Sequence, residues 1–199
     1  MREIREDKGI EDLLNRSEAL LTGHFILSSG LHSDKYVQCA KYLQYPEMAE
    51  VAGKKLARLF ADVKINVVIG GAFGGIIIAY ELARALHARG VFAERVDGVF
   101  QLRRGFEIRP GEKVLIAEDV ITTGKSVKEV MDLVAGFGAE IIGAASLIDR
   151  NMAESESLGI RTEWLHSVQA HTYDPSDCPL CKEGNLPAVK PGSRGVSQK

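Results

Sequence analysis

VLIAEDVITTGKS, residues 114–126, is the stretch from which the fold and the chemistry of this chain can be read. Its first four residues are apolar, as in a strand covered on both faces of a sheet. The strand runs out into two consecutive carboxylates, Glu118 and Asp119. A short turn rich in hydroxyls and glycine follows (Val120, Ile121, Thr122, Thr123, Gly124), and a helix begins at once through Lys125 and Ser126. Free backbone N–H groups at a helix N-terminus, with the positive end of its dipole, form a site for a phosphate. Gly124 lets the backbone come close, and the hydroxyls of Thr122, Thr123 and Ser126 add donors. Two acids beside an anion site are costly unless they contact a donor or a cation; a ribose diol or Mg²⁺ suits both. A strand ending in Glu-Asp, or a helix capped by Thr-Thr-Gly, means little singly. The ordered set points to a phosphorylated sugar. The stretch is neither a G-x-x-x-x-G-K-[ST] loop nor a G-x-G-x-x-G fingerprint.

Outward from this stretch the chain alternates strand, glycine loop and helix. INVVIG (65–70) predicts a central parallel strand, GAFGG (71–75) a loop, and 76–86 a largely buried helix. A short strand over 90–95 and an excursion over 99–108, with two β segments around the basic step LRRG, come next. The periodicity predicts a helix over 125–137, then strands over 139–150 and 161–170, with Trp164 packed beneath the last. Repeated βα units predict an α/β fold with a parallel, doubly covered sheet. The first part of the chain does not fit that repeat. A helical pattern over 9–21 is followed by GHFILSSG and KYVQCAKYL, two short runs around turn formers, before Pro46 opens another helix. Residues 1–45 therefore read as an α+β hood on a core of residues 46–174. Residues 175–199 hold four of the six prolines and read as a tail with a mobile end.

The length, 199 residues, fits one domain with a small appendage. A formal charge of −2 gives no global basic field, which disfavours a nucleic-acid partner. No run approaches the roughly 20 apolar residues of a membrane span, and the charged N-terminus lacks a signal peptide's apolar core. Three cysteines argue against a disulfide framework, so the expected setting is the reducing cytoplasm.

EDVITTGKS resembles the phosphoribosyl pyrophosphate (PRPP) signature of type I phosphoribosyltransferases. GHFILSSGLHSDKYVQCAKYL (23–43) resembles the hood of their orotate branch, with the pattern F-x-L-x-S-G-x-x-S-x-x-Y, and CPLCKEG resembles the tail of one bacterial and archaeal subgroup. The resemblance covers residues 10–170 and implies transfer of a phosphoribosyl group from PRPP to orotate, with Mg²⁺ bound mainly through PRPP and no protein metal ligand. It implies a homodimer with shared active sites.

Residue by residue, the resemblance implies that Glu118 and Asp119 hold the ribose hydroxyls and that the loop from Val120 to Ser126 holds the 5-phosphate. It puts Thr122 and Arg150 on orotate, the guanidinium offering a planar fork. The backbone of Ala72, Phe73, Gly74 and Gly75 would cradle the pyrophosphate, where many relatives carry a lysine and this chain has Gly74. In the hood, Phe25, Ser28 and Tyr36 would contact the pyrimidine; some relatives have a lysine in place of Ser28. Residues 94–105 fall on the family's mobile catalytic loop, where Glu94 stands at the first position, Arg95 replaces a lysine, and Arg95 and Arg104 would contact pyrophosphate. Two other readings stay open: transfer to another base, and a PRPP-sensing regulator that binds nucleic acid. His24 and His32 flank the hood segment as expected surface residues. Cys178 and Cys181 form a single C-x-x-C, which reads as free thiols in a turn. The lesser reading is a zinc site, which normally wants four ligands; His171 and Cys39 could be recruited, but nothing in the sequence positions them.

Overall fold

The computed structural model describes residues 5, 7–27 and 29–191. Helix α1 (Lys8–Arg16) is capped by Asp7, whose side chain accepts from the Ile10 N–H. Strands β1 (Leu20–Ile26) and β2 (His32–Val37) form an antiparallel pair, followed by α2 (Cys39–Leu43) and α3 (Pro46–Leu59). Then come β3 (Val67–Gly71), α4 (Gly74–Leu86), β4 (Arg89–Val96), β5 (Val99–Leu102), β6 (Lys113–Ile121), α5 (Lys125–Ala135) and β7 (Glu140–Asp149). The described chain closes with α6 (Met152–Glu156), β8 (Thr162–Ser167), β9 (Thr172–Tyr173), a 3₁₀ turn (Pro175–Asp177) and α7 (Pro179–Glu183).

The main sheet has the order β5-β4-β3-β6-β7-β8 and is parallel except for the antiparallel β4–β5 hairpin. Period-two alternation divides its apolar residues between two cores. Val68, Leu115 and Ala117 face the helical side with Ile78 and Leu82 of α4 and Leu56 of α3. Val67, Ile69, Val114 and Ile116 face α5 through Val127, Val130 and Val134. Strand β3 and the first half of β6 are buried on both faces, which is why they read as unbroken apolar runs, whereas β4 and β5 alternate buried with exposed residues. Trp164 lies on β8 itself, buried, with its indole N–H donated to the Ser167 hydroxyl at 2.8 Å.

Several expectations are corrected. The first helix stops at Arg16, because Glu18 takes a positive φ of 53° and the Ala19 N–H turns back to the Leu14 carbonyl. Leu20 and Leu21 instead begin β1. CAKYL is helical, not extended, since its 0, 3, 4 spacing buries Cys39, Tyr42 and Leu43 on one face. The excursion has one strand rather than two, because Arg103–Gly105 turn away with Arg104 and Gly105 at positive φ. The hood is not made from the N-terminus alone. Strand β9 adds to β2 through His32–Tyr173 and Ser33–Thr172, and Val189 bridges to Phe25. The far end of the tail, residues 192–199, lies outside the described residues.

Candidate active site

Chain order reverses beside β3. The chain passes from β3 to β4 on one side and then to β6 on the other, so a crevice opens between the C-terminal ends of β3 and β6. Such switch points are where open α/β sheets bind ligands. The loop after β3, the end of β4, residues 118–126 at the end of β6 and just beyond it, and Arg150 after β7 all lie at these strand ends.

Glu118 and Asp119 end β6 side by side, half-buried, with the Asp119 N–H donated to Glu118 Oε1 at 3.2 Å and the Val120 N–H to Asp119 Oδ1 at 2.9 Å. Burial, then the charge of its neighbour, pushes the Glu118 carboxyl up to about 8. Burial raises Asp119 as well. The pair therefore holds a proton near neutral pH, and an incoming donor or cation would displace it. Asp119 is wedged against the start of α4: a Cβ on Gly74 would lie 2.7 Å from its Cγ and both oxygens. Any side chain at position 74 would displace this carboxylate, and Gly74 leaves the acid in its present place.

The loop after β3 is equally close. A Cβ on Gly70 would lie 2.3 Å from the Gly75 carbonyl, so this glycine lets α4 start directly above the strand. The Ala72 N–H is taken by the Ala93 carbonyl at 2.8 Å, the Ala72–Phe73 peptide is cis, and the Phe73 side chain is 88% exposed.

Ile121, the last residue of β6, buries its side chain, while Thr122 and Thr123 beyond it stand exposed. Gly124 has φ 66°, and the first intrahelical bond of α5 runs from the Lys128 N–H to the Gly124 carbonyl. The N–H groups of the helix start therefore face outward, the Lys125 N–H meeting the Thr123 hydroxyl at a long 3.4 Å. The Lys125 ammonium is exposed and pairs loosely with Glu129 at 3.9 Å, and Ser126 is half-buried in the first turn.

A cavity of about 830 Å³ opens beside this turn, walled by Tyr36, Gln38, Thr122, Thr123, Arg150 and Lys190. Arg150 is held by its backbone N–H to the Ile121 carbonyl at 2.9 Å, but its buried Nε has no hydrogen-bond partner among the described residues. A buried guanidinium donor without a partner is expensive, so this one is set to receive an acceptor from the cavity. Desolvation lowers its pKa while Asp34 and Tyr36 oppose the shift. Phe25 corrects an expectation: it is buried behind Tyr36, ring centroids 5.8 Å apart, and does not line the cavity. Ser28 lies outside the described residues.

The hairpin arginines are engaged with carboxylates. Arg95 pairs with Glu129, donates to the Gly98 carbonyl at 2.7 Å and lies 4.0 Å over the Phe100 ring. Arg104 makes a forked pair with Glu94 at 2.7 and 3.1 Å. Both pairs are solvent-accessible and weak enough to exchange for a more highly charged anion. A second groove, of about 550 Å³, lies at the C-terminal end of α4, opposite the strand ends, among the ion-paired Glu50, Lys54, Glu81 and Arg84.

The sequence did not position His24 and His32, which are buried rather than exposed, or Lys190 at the cavity wall. His171 pairs with Asp34 at 3.0 Å, and the Cys39 thiol donates to the Asp119 carbonyl at 3.5 Å, so neither is near Cys178.

A doubly wound sheet with an acid pair and a phosphate-type turn at its switch point defines a class. A family model described as "Phosphoribosyl transferase domain" matches residues 38–172, and the chain belongs to that family. Its relatives narrow the branch. It is 50% identical over 187 residues to an orotate phosphoribosyltransferase of Thermotoga maritima, covering 94% of this chain and 99% of that protein. It is 50% identical over 189 residues to the Caldanaerobacter subterraneus protein of the same name, covering 95% and 98%. The crystal structure of the Aeropyrum pernix orotate phosphoribosyltransferase superposes with a TM-score of 0.68 at 24% identity, over 80% of this chain and 93% of that one.

Proposed function

We propose that the chain transfers the phosphoribosyl group of PRPP to orotate, giving orotidine 5′-phosphate and pyrophosphate. The observation that carries this reading is the adjacency of three recognisers: the acid pair, the open N-terminus of α5, and Arg150, which borders a cavity and has a buried Nε without a partner among the described residues. The acids accept the ribose hydroxyls, giving up their shared proton. The turn from Thr122 to Ser126 takes the 5-phosphate. Arg150 and Tyr36 hold the flat, anionic base. Half-identical relatives over nearly the whole chain support orotate over another base.

The bond from ribose C1 to pyrophosphate breaks as orotate nitrogen approaches from the opposite side, through an oxocarbenium-like transition state. The carboxylate makes orotate an anion, but its ring nitrogen still carries a proton, which leaves as the C1–N bond forms; the departing pyrophosphate, a polyanion, can accept it, so no strong protein base is required. The protein aligns the two reactants and disperses charge on the leaving group through Arg95, Arg104 and the amides of residues 73–75, the Ala72 N–H being held by the Ala93 carbonyl. Two carboxylates alone do not make an octahedral oxygen cage, so Mg²⁺ would sit beside Glu118 and Asp119 mainly on PRPP oxygens, where it neutralises pyrophosphate.

We further infer a homodimer. Phe73, Ile77 and Tyr80 form an exposed apolar row along α4, 88%, 44% and 64% exposed, that a second copy would cover. The free thiols fit a cytoplasmic setting; among the described residues no helix is long and apolar enough to cross a membrane.

The test is the loss of orotate absorbance on adding PRPP and Mg²⁺, with uracil, hypoxanthine and adenine as competitors. Turnover confined to orotate is the expected result; turnover with a purine and not with orotate overturns the base assignment. Asp119→Asn should lose about tenfold or more in turnover while keeping the fold, the scale of a charge-assisted hydrogen bond. Unchanged kinetics at saturating Mg²⁺ would remove its role at the ribose.

A further inference from the structure

In the hood, His24 of β1 and His32 of β2 come together with Cys178 and Cys181, bringing four donor atoms within 4.8 Å of one another. His24 Nε2 lies 2.8 Å from His32 Nδ1 and 3.7 Å from each of the two sulfurs, and Cys181 Sγ lies 3.3 Å from His32 Nδ1. Zinc bonds of about 2.0–2.1 Å to nitrogen and 2.3 Å to sulfur, at the tetrahedral angle, put neighbouring donors roughly 3.3–3.8 Å apart. Three of these four separations, 3.3–3.7 Å, fall in that range, and the fourth, between the two histidines at 2.8 Å, need open by only about 0.5 Å to admit an ion. We propose that these four side chains form a tetrahedral Cys₂His₂ site for a structural zinc ion.

Three features of the fold prepare the donors. The register of β1 against β2 slips between Thr22 and Phe25, so His24 sits in an irregularity that turns it inward beside the equally buried Phe25. The His24 Nδ1 is 3.1 Å from the Leu186 carbonyl. A carbonyl only accepts, so Nδ1 carries the proton and Nε2 presents its lone pair to the cluster, the outer-shell arrangement typical of metal-bound histidines. Cys178 caps α7 and Cys181 stands one turn later, so both thiols point the same way. His24, His32 and Cys178 are at most 8% exposed, whereas Cys181 is exposed and leaves a route for the ion to enter.

A metal here ties together parts of the chain more than 140 residues apart. It would anchor the C-terminal segment where that segment runs along β1, through the Val189 N–H to the His24 carbonyl at 2.9 Å and the Ile26 N–H to the Val189 carbonyl at 2.8 Å. Lys190 and Pro191, which follow at once, border the large cavity.

The site is tested on full-length chain purified without a histidine tag or chelator, under a thiol reductant. Mass-spectrometric metal analysis should find one zinc per chain. Replacement by Co²⁺ should give thiolate charge-transfer absorption and visible bands of tetrahedral intensity. Cys178→Ser/Cys181→Ser should abolish both, while Cys39→Ser should change neither. A strong chelator should lower the melting temperature of the wild-type chain but not that of the double variant. Only trace metal and no cobalt–thiolate band in the reduced wild-type protein would overturn the proposal, as would the same cobalt spectrum in the double variant. Should the double variant fail to fold, the wild-type and Cys39→Ser spectra decide the matter. None of these readouts depends on phosphoribosyl transfer.

Discussion

Gly74→Ala perturbs the acid pair by one methyl group. The new Cβ would stand 2.7 Å from the Asp119 carboxylate, whereas ordinary contact begins at 3.4 Å, so the carboxylate must retreat by about 0.7 Å. Backbone propensity favours alanine over glycine by at most about 1 kcal/mol, and less at a first helical position. Against this stand an overpacking cost of about 1–3 kcal/mol and the strained Asp119–Val120 hydrogen bond, worth about 1 kcal/mol. The net destabilisation is of the order of 1–4 kcal/mol, with each kcal/mol lowering the melting temperature by about 2–4 °C for a chain of this length. Catalysis should suffer more, because a misplacement near 1 Å costs about 10²-fold. The expected loss in kcat/KM for PRPP is roughly 10- to 100-fold, measured by orotate absorbance beside a thermal melt. Gly136→Ala serves as control, since that glycine has φ −61° and its nearest neighbour is the Leu133 carbonyl at 3.3 Å. If Gly74→Ala kept kcat/KM within about twofold of wild type, Asp119 would not be the positioned group described above.

Arg150→Ala should raise the orotate KM by about 10- to 100-fold and the PRPP KM far less, the scale of charge-assisted hydrogen bonds; equal effects on both substrates would mark it as structural. The raised acid pair makes PRPP binding release protons near pH 7, which calorimetry in buffers of different ionisation enthalpy should detect, and Glu118→Gln should diminish the release. The stability of the unliganded protein follows the same linkage. A carboxyl raised from 4.5 to about 8 leaves the folded state holding the extra proton in that window. Stability from this group is full below about 4.5 and declines as pH rises toward 8; a melting temperature that climbed across this range in wild type relative to Glu118→Gln would contradict the assignment.

Much of the core was legible because its signals are local. VVIG and VLIA are buried on both faces, so their apolar runs needed no partner to be recognised, and Glu118–Ser126 carries its whole recognition set in nine consecutive residues. The misreadings share one cause. CAKYL looked extended beside a strand-rich segment, but tertiary burial of Tyr42 and Leu43 selected a helix. Phe25 was assigned to the ligand because its aromaticity shows in sequence and its facing direction does not. The hood's third strand and the convergence of His24 with Cys181 depend on pairing across about 150 residues, which no local pattern encodes.

The two-ended construction of the hood has a consequence for biosynthesis. When Ser167 leaves the ribosome, every strand of the main sheet exists, and with it the acid pair and the start of α5. Thr172–Tyr173, Cys178, Cys181 and Val189 have yet to emerge, so β1 and β2 must wait for the last stretch of chain before their edges are paired. A nascent chain at that stage has its sheet assembled over a roofless cleft. C-terminal truncation before Thr172 should reproduce it, leaving unpaired strand edges that invite aggregation.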